Sequence, residues 1–518
     1  MNVIVTSGAT GKQKKRVGII GAGVSGLVTA KVLKRDGFDV TVFEKEPTIG
    51  GVWAPSRAYV GLCTNNPREH YAFSDFRYPE ASDEFPTAGQ VLDYLNAYAG
   101  HFGLESHLRL STEVRSVSRR ATNDGKHPGF DVTVRPADGS AEAETHAFDY
   151  VVVCNGVFSN PHVPEIAGRE RFEGTLIHSS DMLEADMLRG KRVVVVGAGK
   201  SALDCASVAA HEADATTLVF RQPHWMFPRY FPGGKRVDEV FFTRLSEKIL
   251  PAYHRASRWE AMLRTVLAPA LRAWRKKISA IVRRACHMPP EMIPQEPISA
   301  DVAENIGIGT RFYEVLQNDL AQAKRAEIQS FSGAHTLQLD TGEQVEADLV
   351  IFATGWRQDV SLLDPALRRT IRREGTFHLY RRILPPAEPR LAFNGYASSG
   401  NQVLTSEVAA HWLSACFLEE LELPDAATME QRIAEVHTWT AEAFPKRNEG
   451  YFVGSYVASY VDELMRDMGL PARRADGFVA EYFEPLDATR YEGLAEERCR
   501  AREKNQVGED SMRSAEAV

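Results

Sequence analysis

Six residues near the N-terminus, Gly21–Gly26, have the glycine spacing of a turn that binds a dinucleotide. The sequence Gly-Ala-Gly-Val-Ser-Gly lies between a β-branched run at Arg16–Ile20 and a segment of helical periodicity at Val24–Asp36. In this setting the first glycine allows a tight turn, the second lets the backbone approach a pyrophosphate, and the third lets helix and strand pack closely. The free N–H groups at the start of the helix would bind the phosphates. The motif predicts cofactor contacts for Gly21, Gly23, Val24, Ser25 and Gly26.

An acidic residue completes this first motif. Glu44 ends the next predicted strand, at the distance from the glycines where a carboxylate accepts hydrogen bonds from ribose hydroxyls. The same carboxylate would repel a 2′-phosphate, so the site suits FAD or NAD and not NADP. The paired glycines Gly50 and Gly51 let the following loop fold over the pyrophosphate without Cβ clashes. Trp53 then has two interpretations that the spacing leaves open, a flavin contact or a core side chain.

A second glycine turn, Gly197–Ala202, repeats the pattern near the middle of the chain. It follows the run Val193–Val196, and alanine in the third glycine position is a variant that the fingerprint allows. The next predicted strand leads into Arg221 in place of an acid, and a guanidinium there can bind the 2′-phosphate of NADPH. A solvated loop cation is the alternative interpretation. The motif predicts cofactor contacts for Gly197, Gly199, Ala202 and Arg221.

The elements that must position these turns define the fold class. Each turn lies in a βαβ unit, and two further apolar strands, Tyr150–Cys154 and Leu349–Phe352, are each followed closely by a glycine. We predict an α/β protein with two Rossmann-like dinucleotide-binding domains, in which the NADPH domain is inserted into a discontinuous FAD domain. The predicted FAD domain consists of residues 1–160 and 346–490. The predicted NADPH domain is 161–345, with a helical insertion at about 236–290. Residues 491–518 are predicted to be a charged, disordered tail.

Composition excludes several classes of protein. The chain has 518 residues, of which 44% are hydrophobic and 25% are charged, as is usual for a soluble globular protein. A net charge of -8 gives no sign of nucleic-acid binding, and no apolar run reaches the roughly 18 residues that span a bilayer. The six cysteines are scattered without a CxxC pair, which is typical of reduced thiols in a cytoplasm. We expect a cytoplasmic protein without a metal site, and its oligomeric state is left open.

Together with the two glycine turns, several further motifs resemble the class B flavin-dependent monooxygenases, and among them the flavin-containing monooxygenases. The resemblance extends from about Arg16 to Leu423, and its motifs are Phe172–His178 (FxGxxxH), Ala353–Trp356 (ATGW), Asn394–Tyr396, Glu407–Trp412 and Leu62–Arg68. It implies FAD and NADPH as cofactors, and O2 and a small organic molecule as substrates. The implied reaction forms a C4a-hydroperoxyflavin that oxygenates a soft nucleophile, an amine nitrogen or a sulfide sulfur.

The resemblance also implies roles for single residues. Asn65 would be the catalytic residue, at the contact between flavin, nicotinamide and the reactive oxygen, although an asparagine capping a turn before a proline is the alternative. An amide there donates and accepts hydrogen bonds without adding charge. Thr64 would help to hold the nicotinamide cofactor. The remaining implied cofactor contacts are Gly51, Val52, Trp53, Ser201, Asp204, Gly355 and Gly395.

One position departs from the family pattern. Four residues after the histidine of FxGxxxH, flavin-containing monooxygenases have Tyr or Phe and Baeyer–Villiger enzymes have Trp, whereas this chain has Met182. A Baeyer–Villiger monooxygenase acting on ketones therefore remains the alternative, followed by a non-oxygenating NADPH–flavin reductase. A disulfide reductase is disfavoured because Cys63 has no neighbouring cysteine in the sequence. His178 itself is more typical of a structural histidine at the link between domains than of a catalytic base.

The segment Phe242–Met288 stands apart because it contains eleven Lys/Arg against two Asp/Glu. Its apolar residues form one helical stripe, with Pro269 expected to kink the helix. The stripe consists of Leu263, Val266, Leu267, Leu271, Trp274, Ile278, Ile281 and Val282. We favour a helical insert whose apolar face covers the substrate entrance and whose cations are solvated. Contact with an anionic membrane surface is the second interpretation.

Overall fold

A computed structural model describes residues 14–120, 129–250, 252–254, 258–298, 307–308, 311–444 and 453–503. The strands are β1 (Arg16–Ile20), β2 (Asp39–Phe43), β3 (Leu108–Arg109), β4 (Thr112–Arg119), β5 (Phe130–Pro136), β6 (Glu144–Phe148), β7 (Tyr150–Val153), β8 (Asn160–Pro161), β9 (Thr175–His178), β10 (Arg192–Val196), β11 (Ala215–Phe220), β12 (Met226–Phe227), β13 (Gly307–Ile308), β14 (Gln322–Arg325), β15 (Ile328–Gly333), β16 (Thr336–Leu339), β17 (Gln344–Glu346), β18 (Leu349–Phe352), β19 (Trp356–Arg357), β20 (Arg372–Arg373), β21 (Thr376–Phe377) and β22 (Leu391–Phe393).

The α-helices alternate with the strands in the first half of the chain and dominate its last quarter. They are α1 (Val24–Arg35), α2 (Ala88–His101), α3 (Lys200–Glu212), α4 (Val237–Phe241), α5 (Arg244–Ile249), α6 (Arg258–Ala285), α7 (Arg311–Gln317), α8 (Pro365–Ile371), α9 (Gln402–Phe417), α10 (Ala426–Ala443), α11 (Val457–Asp467), α12 (Phe478–Phe483) and α13 (494–503).

The first parallel sheet has the strand order β22-β7-β1-β2-β3. Its central strands β1 and β7 are nearly continuous runs of buried β-branched residues, as expected for strands covered on both faces. On one face α1 packs against α9, a helix in which every residue from Val403 to Phe417 is buried. Helix α9 is therefore surrounded by protein on all sides, and its buried Glu407 accepts hydrogen bonds from Ser74. The last strand, β22, shows that the chain returns to this sheet late in the sequence.

The second parallel sheet has the order β14-β11-β10-β18-β9 and confirms the prediction of two Rossmann-like units. The two connections between the units pair with each other, because β8 lies antiparallel to β19. The predicted return to the FAD domain at 346 is therefore too early, since β18 lies between β10 and β9 in the second sheet. A short apolar strand fits either sheet, and only its hydrogen-bonded neighbours decide to which one it belongs.

The predicted disordered tail is wrong for 494–503, which form α13. Leu494 is fully buried, and the Arg498 guanidinium donates to the carboxylates of Asp36, at 2.9 Å, and Glu420, at 2.8 Å. The charged composition suggested disorder because the carboxylates that pair with Arg498 lie far from it in the sequence and could not be recognised as its partners. Residues 504–518 lie outside the described part of the chain.

The insertion contains α4, α5 and α6, and α6 continues through Pro269. The predicted apolar stripe is buried only towards the C-terminal end of α6, where Ile278 and Val282 join the core of the second unit. Farther towards the N-terminus of α6, Val266 and Leu267 are exposed. No described residue of α6 lines the cavity that extends from the first glycine turn. Among the described residues the stripe is thus buried over only part of its length, and the covering of the substrate entrance stays a prediction. None of the described helices is long and apolar enough to cross a membrane.

Candidate functional site

The first glycine turn has a geometry that only glycine can adopt. Gly21 has φ +104°, and a Cβ there would lie 2.6 Å from the carbonyl oxygen of Cys154. A Cβ on Gly26 would lie 1.9 Å from the carbonyl oxygen of Gly21. Helix α1 begins after Gly23 without a side-chain cap among the described residues, so its first N–H groups are available to an anion. These are the features that a dinucleotide pyrophosphate requires.

Glu44 lies at the end of β2, directly beside this turn. Its carboxylate is buried and accepts hydrogen bonds from the backbone N–H groups of Ala22, at 2.7 Å, and Glu46, at 3.1 Å. Burial raises the pKa of Glu44, and these backbone donors partly offset the effect. Each carboxylate oxygen can accept more than one hydrogen bond, so the contact with a ribose stays a prediction that the geometry permits.

A cavity of about 530 Å³, the flavin cavity, extends from this turn into the first unit. Trp53 forms part of its wall, where its indole N–H donates to the Tyr71 hydroxyl at 2.9 Å and the two rings meet edge to face. Trp53 is also buried in the core, which confirms that interpretation, and its contact with flavin stays a prediction. Of the predicted FAD contacts, those that line the cavity are Gly21, Gly23, Val24, Ser25, Glu44, Gly51, Val52, Trp53 and Gly395.

Gly395 closes this cavity from the late part of the chain. It has φ +88°, and a Cβ there would lie 2.4 Å from the Ser25 hydroxyl oxygen, at the start of α1. The Asn394 amide holds the same turn by donating to Thr29 Oγ1 at 2.9 Å. The structure therefore brings the motif at Asn394–Tyr396 onto the first glycine turn, as the resemblance implied.

Sequence reasoning missed a cation in the wall of the flavin cavity. The Arg57 guanidinium lies over the Trp356 ring at 5.2 Å and donates to the Phe158 carbonyl at 2.5 Å. Burial lowers the pKa of Arg57. No ion pair with a carboxylate forms at Arg57 within the described ranges, so its charge is available to a phosphate. An arginine four residues after Trp53 carried no motif signal that could have identified it.

The loop that carries Thr64 and Asn65 contains two buried acceptors without partners. Thr64 Oγ1 and Asn65 Oδ1 make no hydrogen bond with any described residue. Neither side chain lines the flavin cavity, but the adjacent Asn66 amide donates to the Gly400 carbonyl at 2.7 Å, next to the cavity residue Ser399. Buried polar atoms normally have partners, so orphaned acceptors here fit a bound cofactor or substrate that supplies the donors.

The second glycine turn, like the first, requires a glycine at its first position. Gly197 has φ +137°, and a Cβ there would lie 2.4 Å from the carbonyl oxygen of Ala353. Ala202 is fully buried behind the turn, which explains why a methyl group is accepted at the third position. A Cβ on Gly199 would meet no described atom within 4 Å, so the start of α3 is open to a ligand. Ser201 lies in the first turn of that helix.

Asp204 has partners in both units. It forms an ion pair with Lys200 on its own helix and accepts a hydrogen bond from the Tyr59 hydroxyl at 2.8 Å. Desolvation, with Asp204 close by, raises the pKa of Tyr59 well above its usual value, so Tyr59 stays a donor at neutral pH. The contact couples the loop after Trp53 to α3. Direct binding of the cofactor by Asp204 stays a prediction.

Arg221 follows β11 at the carboxyl edge of the second sheet, as predicted. Its guanidinium is 75% exposed and lies 3.6 Å from Glu327, which is itself largely exposed. The backbone carbonyl of Arg221 accepts a hydrogen bond from Arg325, at the end of the neighbouring strand β14. The side chain is thus accessible to a 2′-phosphate, and its contact with NADPH stays a prediction.

His178 links the FxGxxxH segment to the ATGW segment. Its Nδ1 accepts from the Ser180 N–H at 3.2 Å, so Nε2 carries the proton and donates to the Gly355 carbonyl at 3.1 Å. Burial lowers the pKa of His178, which keeps the ring neutral. Met182 is fully buried in the core of the second unit, and its carbonyl accepts from the Val60 N–H at 2.9 Å. Both residues have structural roles here.

The six cysteines are all free thiols, and Cys63 accepts a hydrogen bond from Arg229. With two glycine turns on two parallel sheets and no cysteine pair, the fold and sites define a flavoprotein oxidoreductase with separate flavin and nicotinamide units.

Comparison with known proteins identifies the family. Residues 14–473 match the family model described as flavin-binding monooxygenase-like. A probable flavin-containing monooxygenase 1 of Arabidopsis thaliana is 31% identical over 93% of this chain and 97% of its own length. Human flavin-containing monooxygenase 1 is 27% identical over 87% of this chain and 82% of its own. The chain therefore belongs to the flavin-binding monooxygenase-like family, and FAD and NADPH are its cofactors.

Solved structures show the same fold. An open structure of cyclohexanone monooxygenase superimposes with a TM-score of 0.65 at 18% identity, covering 88% of this chain and 98% of that one. An S-allyl-L-cysteine S-oxygenase from Allium sativum gives 0.58 at 22% identity, covering 88% and 89%. The fold is thus common to both groups of enzymes and does not distinguish between their reactions.

Proposed function

We propose that this NADPH-dependent flavin monooxygenase oxygenates an amine nitrogen or a sulfide sulfur of a small organic substrate through a C4a-hydroperoxyflavin. The observation that carries the proposal is the uncharged loop with two orphaned buried acceptors, Thr64 Oγ1 and Asn65 Oδ1. The names of relatives support the substrate class. A dimethylaniline monooxygenase [N-oxide-forming] 2 of Rattus norvegicus is 28% identical, and a solved structure with the same fold is an S-oxygenase.

Bound FAD, reduced by NADPH, supplies the oxygen-activating chemistry, and the protein supplies position and exclusion of water. Trp53 and Tyr71 wall the flavin cavity with aromatic rings, and burial raises the pKa of Tyr71 to about 12, so this hydroxyl adds no charge at neutral pH. Asn65 offers an amide donor and a free acceptor. Neither Thr64 nor Asn65 carries a charge, which suits a neutral nucleophile, whose lone pair needs no proton removed.

The alternative is a Baeyer–Villiger monooxygenase acting on ketones. It stays open because Met182 departs from the motifs of both groups, and solved cyclohexanone monooxygenases share the fold. Because Met182 is fully buried in the core of the second unit, the departure from the family motif at this position affects packing there. It does not change a side chain that contacts the substrate.

A substrate screen distinguishes the alternatives. Purified enzyme is given NADPH, O2 and separate panels of tertiary amines, thioethers and ketones, and products with one added oxygen are identified by mass spectrometry. We expect N-oxides and sulfoxides. Esters or lactones formed from ketones, with amines and thioethers unchanged, would establish the Baeyer–Villiger alternative, and NADPH oxidation with no oxygenated product in any panel would favour a reductase.

Asn65→Asp tests the role of the loop. The substitution changes few atoms but adds a charge at an acceptor that has no described partner. We expect the rate of flavin reduction to be retained, while most of the NADPH consumed yields hydrogen peroxide instead of product. Asn96→Asp, at an exposed position of α2, adds the same charge far from the loop and should couple like the parent. If Asn65→Asp couples equally well, Asn65 is only a turn residue.

A further inference from the structure

Helix α6 presents an apolar face that nothing in the described part of the chain covers. Met262, Val266, Leu267 and Trp274 are exposed, and Val266 reaches 70% exposure. The same helix is anchored at its other end, where Ile278 and Val282 are buried in the core of the second unit. The exposed apolar half is therefore a fixed feature of the surface, held in place by the buried half.

Cations surround this face. Helix α6 contains eight Lys/Arg against one acid, Glu260, in a chain whose net charge is -8. Across the described ranges, six of these cations form no ion pair with a carboxylate, and they are Arg272, Arg275, Lys276, Lys277, Arg283 and Arg284. An acidic residue three or four positions away on a helix can pair with a surface cation, and none of these six cations has such a neighbour in α6.

A second exposed apolar patch lies on α12. Phe478, Val479 and Phe483 are each more than half exposed. An ion pair between Arg244 and Glu481 holds α12 against α5. Helix α6 and the segment that leads to α12 meet at a cavity of about 610 Å³, whose wall includes Arg264 of α6 and Arg473, five residues before α12.

We propose that α6 and α12 form a docking surface for an anionic lipid bilayer, on which the enzyme lies without spanning it. A helix with an apolar face and flanking cations binds at the level of lipid headgroups, where apolar side chains enter the acyl boundary and cations meet phosphate groups. Charge argues against a second copy of the chain, because a symmetric contact would place two such basic helices together. Nucleic acid offers no apolar surface to Val266, Leu267 and Met262.

Co-sedimentation with vesicles tests the proposal on the full-length, FAD-loaded protein. Vesicles of phosphatidylcholine alone are compared with vesicles that also contain phosphatidylglycerol, at low and at physiological salt. We expect binding to the anionic vesicles that weakens as salt rises. Lys276→Gln combined with Lys277→Gln should weaken it about 25-fold, since each cation near an anionic surface contributes about fivefold.

Two further variants complete the design. Val266→Ser combined with Leu267→Ser should weaken binding at both salt concentrations, because it removes apolar contact without changing charge. Arg368→Gln combined with Arg369→Gln, at exposed positions of α8 in the other unit, is the matched control and should bind like the parent. All variants should keep the parent rate of NADPH oxidation in solution, which excludes misfolding.

Three outcomes would overturn the proposal. The parent could remain in the supernatant with both kinds of vesicle. Both α6 double variants could bind as well as the control. Sedimentation velocity without lipid could show a dimer that Val266→Ser with Leu267→Ser dissociates, in which case the surface joins two copies of the chain. Because the measurement is binding and not turnover, its failure is independent of the proposed substrate class.

Discussion

Replacement of Arg221 by alanine is the sharpest test of cofactor choice. The guanidinium is 75% exposed, and its carboxylate partner among the described residues, Glu327, lies 3.6 Å away and is 61% exposed. An exposed pair of this kind contributes between zero and about 1 kcal/mol to stability. Arg221→Ala should therefore leave the free energy of unfolding almost unchanged, so that any loss of cofactor binding reports on the cofactor itself.

The expected effect on NADPH follows from the chemistry of the 2′-phosphate. A hydrogen bond that involves a charged group contributes about 1.5–3 kcal/mol, so its removal should weaken NADPH binding about tenfold to hundredfold. NADH lacks the phosphate, and its affinity should barely change. Glu327→Gln removes the carboxylate that competes for the guanidinium, and we expect it to tighten NADPH binding moderately.

The assay is the rate of flavin reduction measured by stopped-flow over a range of NADPH or NADH concentrations, which gives an apparent dissociation constant for each. Arg368→Ala, at an exposed position of α8, is the matched control. An equal loss of affinity for both cofactors would show that Arg221 stabilises the end of the strand and does not bind the 2′-phosphate. No loss with either would leave Arg221 as a solvated cation, and the 2′-phosphate would need another partner.

Three other substitutions test the structure. Gly395→Ala places a Cβ 2.4 Å from Ser25 Oγ at a backbone φ of +88°, which should distort the turn at the cavity. The absorbance of the purified protein should then show a clearly lower ratio of FAD to polypeptide, and a full complement of FAD would contradict this close approach. His178→Ala removes one of two donors to the Gly355 carbonyl, which keeps the His162 N–H at 2.9 Å, and should cost about 0.5–1.5 kcal/mol in urea unfolding, whereas an unchanged midpoint would show that water replaces the imidazole. Burial raises the pKa of Glu247 to about 7 from a usual value of 4.5, so its contribution to stability is lost as pH rises between these values. Glu247→Gln should flatten the dependence of the urea midpoint on pH across that window, and an unchanged slope would assign it to other groups.

The glycine turns were predictable from the sequence because their constraints are local. Gly21 and Gly26 would clash with backbone atoms of their own βαβ unit if either carried a Cβ. Strand, turn and helix follow one another within 20 residues, so spacing alone indicated the fold and both nucleotide sites. The basic character of α6 was equally visible, since charge and periodicity are properties of the sequence.

Residues whose role depends on distant partners were not predictable in this way. Strand β18 joins the second sheet because β10 and β9 accept it on either side, although its apolar sequence suits both sheets. Helix α13 is held in place by Arg498, which donates to carboxylates that follow α1 and α9, although its own composition suggested disorder. Arg57 became a candidate phosphate ligand only when the fold placed it in the flavin cavity. In each case the deciding interaction joins groups that are far apart in sequence, and only the packed tertiary structure brings them within hydrogen-bonding distance.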